Sequence, residues 1–104
     1  MINVLVKKND GIIYEITVKG HAQYKPKGQD IVCAAVSTAT LVTANAIEHL
    51  ALNHHIDLTV EDGYFKLILL NSHDTIERLL DNLEYTLISL EKQYPKYIKN
   101  QKEG

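Results

Sequence analysis

The chain has a single cysteine, Cys33, in 104 residues. One thiol excludes an internal disulfide, which agrees with a reducing compartment, and it removes the paired cysteines that small structural zinc sites are built on. The other histidines, His49, His54, His55 and His73, stand at no recognisable ligand spacing and read as surface residues. No metal and no cofactor are expected. A basic excess is also missing, since 11 Lys and Arg face 13 Asp and Glu for a net charge of −2. Phosphate backbones attract proteins through surplus positive charge, so direct nucleic acid binding is not expected. No apolar run approaches the roughly 20 residues of a membrane span. The opening residues, Met1 to Lys8, lack the basic-then-apolar order of a signal peptide. The expectation is a soluble cytoplasmic protein with no membrane partner.

What is present is enough for one core. A chain of this length with 45% hydrophobic residues suits one compact domain over residues 1–104 and not two. The β-branched segments Asn3 to Lys7 and Ile12 to Lys19 flank Asp10-Gly11, a pair suited to the positive φ angles of a hairpin turn. From Ala22 to Gly28 no apolar period survives, and Pro26 and Gly28 discourage regular structure. Asp30 reads as an N-cap opening an Ala-rich helix to about Leu52, with a broad apolar surface that should be largely buried. Asp57 to Glu61 and Tyr64 to Leu70 form a second hairpin around Asp62-Gly63. Asp74 with Glu77 has capping-box spacing, and Ile76, Leu79, Leu80, Leu83 and Leu87 recur at helical spacing towards Pro95. Residues 96–104 are polar and Lys-rich and read as a frayed tail. The fold class is α+β in the order ββαββα, a small, mainly antiparallel sheet packed with two helices.

The chemistry gathers where the second strand gives way to the first helix. By itself, a cysteine in an Ala/Val-rich helix is a small buried hydrophobe. With Asp30 as the cap, however, Cys33 falls in the first turn, where unpaired N–H groups and the positive helix end favour thiolate. An imidazole near neutral pKa can take the thiol proton and return it to a leaving amine, and His21 ends the strand just before the loop. Asp30, Cys33 and Ser37 are spaced i, i+3, i+7 and share one helix face. Asp30 serves as a cap, or it orients and charges His21; its negative charge would oppose thiolate formation in Cys33. Ser37 is either a polar site residue or a small residue at a packed surface. The intervening residues Gln23, Tyr24, Lys25, Pro26, Lys27 and Gly28 offer little apolar surface to hold them down, which suggests a lid that closes over a bound peptide.

Gly20-His21-Ala22, Gly28 and the run from Asp30 to Ser37 resemble the ribosomal-processing cysteine protease family, and the resemblance extends through the whole chain. It implies an enzyme that removes the N-terminal extension of ribosomal large-subunit protein twenty-seven, cutting after an aromatic residue, and that acts as a homodimer. On that likeness Cys33 is the nucleophile, His21 the general base and acid, and Asp30 and Ser37 are supporting residues. Gly20 lets the backbone pass close to the site, and Gly28 is a loop hinge. Two other readings stand beside it. One is a non-catalytic ribosome-biogenesis adaptor with Cys33 buried, and the other a thiol redox sensor.

Overall fold

A computed structural model describes residues 1–26 and 29–104; Lys27 and Gly28, and with them the expected hinge, lie outside the described residues. Strands β1 (Ile2–Asn9) and β2 (Ile12–Lys19) precede helix α1 (Ile31–His49) and a single 3-10 turn at Asn53–His55. Strands β3 (Ile56–Glu61) and β4 (Tyr64–Leu69), helix α2 (Asp74–Gln93) and strand β5 (Ile98–Glu103) follow. The sheet order is β3-β4-β2-β1-β5. Three of its four pairings are antiparallel, and β1 with β5 is parallel. The α+β class with two helices holds, and the order lengthens to ββαββαβ.

Alternation along the strands builds one apolar face. Ile2, Val4 and Val6 are buried on β1, and their register sets Val4 opposite Val18 and Val6 opposite Ile16. The rows continue across β4, where Val18 pairs with Phe65 and Ile16 with Leu67. Residues directly opposite in a ladder point to the same side, so these rows are continuous apolar stripes. Helix α2 packs over β2 and β5, with Ile76, Leu80, Leu83 and Leu87 turned inward. The cover stops short of β3. Leu58 and Val60 extend the stripes opposite Leu67 and Phe65, yet both remain exposed.

Helix α1 packs against α2 and buries Val32, Val36, Thr40, Thr43, Ala44 and Ile47. The threonine hydroxyls donate back to the carbonyls of Val36, Ser37 and Ala39, so their burial leaves no unpaired donor. Two expectations are corrected here. The helix ends at His49, and it is not largely buried, since Ile31, Leu41 and Val42 face outward. Its 19 residues also have the length and apolar composition that a membrane span could have, a test that core helices of soluble proteins pass as well. At α2 the cap is His73, one residue earlier than expected. Glu77 accepts from the His73 backbone N–H at 2.9 Å, while Asp74 pairs with Arg78.

The larger correction concerns residues 96–104, which are not frayed. Strand β5 runs alongside β1 from Ile2↔Ile98 to Lys7↔Glu103. Ile98 is fully buried, and Asn100 is clamped to α2, donating to the Leu87 carbonyl and the Glu91 carboxylate. The segment reads as polar because it is an edge strand with one apolar anchor, and lysines are what protect such an edge from further pairing. Ile98→Ala should therefore cost about 2 to 5 kcal/mol of stability. Urea unfolding measures it, and a change within about 0.5 kcal/mol would instead describe a surface tail.

Candidate active site

The site is assembled around the carboxylate of Asp30. Its Oδ1 accepts from the backbone N–H groups of Val32 (3.0 Å) and Cys33 (2.9 Å), and its Oδ2 accepts from Tyr24 N–H at 3.1 Å. Asp30 is thus the expected N-cap and, in addition, the clip that holds the preceding loop to the helix. Burial raises its pKa, but the N–H groups of Cys33 and Tyr24, the Cys33 thiol and the Val32 N–H outweigh that, leaving the carboxyl below its usual value. The third donor at the helix start, Ala34 N–H, is taken by the Asp30 carbonyl. These N–H groups are spoken for, and the sulfur is addressed from elsewhere. Ala22 N–H donates to Cys33 Sγ at 3.2 Å, and Gln23 N–H also faces it. Gln23 adopts a left-handed φ of +58°, a conformation costly for a side chain with a Cβ and found where the surroundings impose it. The chain turns there, between the sulfur and the Tyr24 bond to Asp30.

Cys33 is half-buried in the first turn of α1, as its spacing from Asp30 requires. Its resting thiol runs against expectation, because its pKa is raised. Burial is the largest cause, and the Asp30 charge and hydrogen bond add to it, while the Ala22 and Gln23 N–H groups oppose it. Burial of the sulfur, with the Asp30 carboxylate beside it, outweighs the two backbone donors.

His21 lies two residues past the end of β2 and is exposed. Its carbonyl accepts from the Met1 amino group at 2.6 Å, and Gly20 N–H donates to the Gly63 carbonyl at 2.9 Å. Gly20 has a φ of +100°, and a Cβ there would collide with the Met1 carbonyl, so the close backbone passage expected at this residue is real. His21, Gly20, Asp30, Cys33 and Ser37 all line one cleft of about 920 Å³. Ser37 sits exposed on its wall, one turn beyond Cys33.

Gln23, Tyr24, Lys25 and Pro26 form another wall of the cleft. Tyr24 does not stand free, as a loose lid would have it. Its ring meets Tyr97 and Tyr94 edge-to-face, with centroids 5.1 and 6.0 Å apart. Sequence reading missed this anchor, because the two partner tyrosines lie some seventy residues away, around the turn into β5. It also missed the opposite wall, Val60, Glu61, Asp62, Gly63 and Tyr64, although the Asp-Gly turn is visible in the sequence. Of the remaining histidines, His49 and His54 are exposed as expected, and His55 and His73 are half-buried. His54, His55 and His73 meet ring to ring in tilted contacts, with centroids 4.1 and 4.9 Å apart, outside the cleft, and Nδ1 of His55 and of His73 is buried. Burial, then the neighbouring His54 and His73, push the His55 pKa down.

The balance at Cys33 is open to direct test. Asparagine caps helices as well as aspartate does, so Asp30→Asn keeps an oxygen for Val32 and Cys33 while deleting the charge. The thiol pKa should fall, and alkylation by iodoacetamide at neutral pH should speed up several-fold. A pH series of alkylation rates decides it, and an unmoved midpoint would mean that burial alone holds the proton.

Likeness to known proteins extends along nearly the whole chain. A family model described as cysteine protease Prp matches residues 1–99. The ribosomal processing cysteine protease Prp of Staphylococcus aureus is 29% identical over 103 residues, covering 95% of this chain and 96% of that protein. The crystal structure of the S. aureus protease with a covalently linked product peptide superposes with a TM-score of 0.90 at 28% identity, covering 99% of this chain and 100% of that one. The S. aureus structure with a substrate peptide gives 0.86 at 27% identity, with the same coverage. The chain belongs to the cysteine protease Prp family and is a cysteine protease.

Proposed function

We propose that the protein is a cytoplasmic endopeptidase that removes the N-terminal extension of ribosomal large-subunit protein twenty-seven, with Cys33 as nucleophile and His21 as general base and acid. The observation that carries the assignment is the sulfur of the only cysteine, aimed from a helix start into a cleft it shares with His21 and met there by backbone N–H groups. A cleft walled by Val60, Tyr64 and Tyr24 suits apolar and aromatic side chains, and Glu61 and Asp62 on its rim favour a peptide without excess negative charge.

Cys33 Sγ attacks the scissile carbonyl carbon as its proton passes to His21. The carbonyl π electrons move onto oxygen, and the Ala22 and Gln23 N–H groups beside the sulfur are the donors available to that oxyanion. Collapse expels the amine, which takes the proton back from His21, and water then releases the acyl group from sulfur. The raised thiol pKa is what makes a base necessary, because the resting sulfur holds its proton and has to lose it once substrate is bound. Asp30 fixes the helix start and the loop, and Ser37 extends the Cys33 side of the cleft by one helical turn. Residues 23–26 act as a wall that peptide contacts complete, and a homodimer is the working assembly.

Cys33→Ala should abolish cleavage of a synthetic peptide spanning the extension while leaving the fold and peptide binding in place. His21→Ala should lower turnover by about 10² to 10⁴. Mass spectrometry of the products and calorimetric binding measure both, and cleavage by the alanine variant of Cys33 near the parental rate would sink the assignment.

A further inference from the structure

Both hairpins turn on an Asp-Gly pair, and both glycines occupy the left-handed region, Gly11 at φ +78° and Gly63 at φ +68°. Backbone conformation is reason enough for glycine at each. What stands beyond the missing side chain differs. A Cβ on Gly11 would meet nothing within 4 Å, whereas a Cβ on Gly63 would lie 2.7 Å from His21 Nε2, 3.1 Å from Cε1 and 3.4 Å from Cδ2. The imidazole therefore rests against the bare backbone of the β3–β4 turn. The same turn is tied to the strand end carrying His21, through the bond from Gly20 N–H to the Gly63 carbonyl. Among the described residues no hydrogen bond reaches the His21 ring nitrogens, so the surface beneath the ring decides where it stands.

We propose that Gly63 is a positioning residue for His21, its absent side chain leaving the recess that seats the imidazole within the cleft it shares with Cys33. The inference deepens the assignment of His21 as acid and base and rests on it. Non-bonded carbon atoms settle about 3.5 to 4.0 Å apart, so a methyl at this position drives the ring away by roughly 1 Å. The ring is the far end of a side chain with two free torsions, and it yields where the sheet does not. A displacement of that size in a reacting group costs about 10²-fold in rate.

The two hairpins supply their own control. Gly63→Ala and Gly11→Ala each place a Cβ at a left-handed φ in a two-residue hairpin turn, +68° and +78°, but only the first sets a methyl against His21. With the extension peptide as substrate, kcat should fall about 10²-fold in Gly63→Ala with KM little changed, and Gly11→Ala should stay near the parent. Both should lose Tm, because alanine is strained at either φ. In peptide-free protein, the His21 Cε1–H and Cδ2–H resonances should shift in Gly63→Ala alone. Gly63→Asn carries the same Cβ on a residue that tolerates the left-handed region, and it replaces the alanine variant if that one does not fold. Equal turnover in the two alanine variants, or unmoved His21 resonances, would overturn the inference. Parental turnover by His21→Ala would instead overturn the dyad, and with it the catalytic part played by Gly63, whatever the resonances do.

Discussion

The carboxylate of Asp30 is the constraint on which the site depends. It accepts from Val32, Cys33 and Tyr24 at once, so a single side chain starts the helix, sets the azimuth of the cysteine and fastens the loop that follows the histidine. Held this way, the loop brings the Ala22 and Gln23 N–H groups to the sulfur. The same charge adds to burial in keeping a proton on the thiol. Structural order and chemical restraint come from one group, and a site ordered by a neutral cap would have a more reactive resting sulfur.

The cleft itself is a consequence of incomplete cover. Two helices on a five-stranded sheet leave Leu58 and Val60 of β3 exposed, and Val60 continues the apolar stripe of Val18 and Phe65 beyond the buried core. The start of α1 and the loop before it stand beside this uncovered end and make it a cavity. In a protein this small the gap in the core is the place for a ligand, because the apolar surface there has no other partner.

The sequence made the local features legible and hid the distant ones. Asp30, Cys33 and Ser37 could be placed on one helix face because three and seven residues along a helix have fixed geometry, and the cleft receives all three. Both Asp-Gly turns were recognisable from dihedral preference alone. Strand β5 was not, because an edge strand with one buried isoleucine carries no alternation to detect, and its partner β1 lies at the other end of the chain. The packing of Tyr24 on Tyr94 and Tyr97 and of His21 on Gly63 escaped for the same reason. The thiol was misjudged in a different way. Helix dipole, burial and a neighbouring charge all act on Cys33, and only coordinates fix how strongly each one does.

The pairing of Ile2 with Ile98 also sets the order in which the chain can acquire its shape. During synthesis β1 emerges first, and its outer edge has no native neighbour until β5 has been made. The edge strand that closes the sheet arrives after every other element, and a contact of such long sequence separation is slow to form. The amino group that donates to the His21 carbonyl belongs to the residue preceding that first strand. A nascent chain would thus carry Cys33, His21 and Asp30 well before its sheet is closed, and the Tyr97 ring on which Tyr24 rests is added only with the last turn before β5.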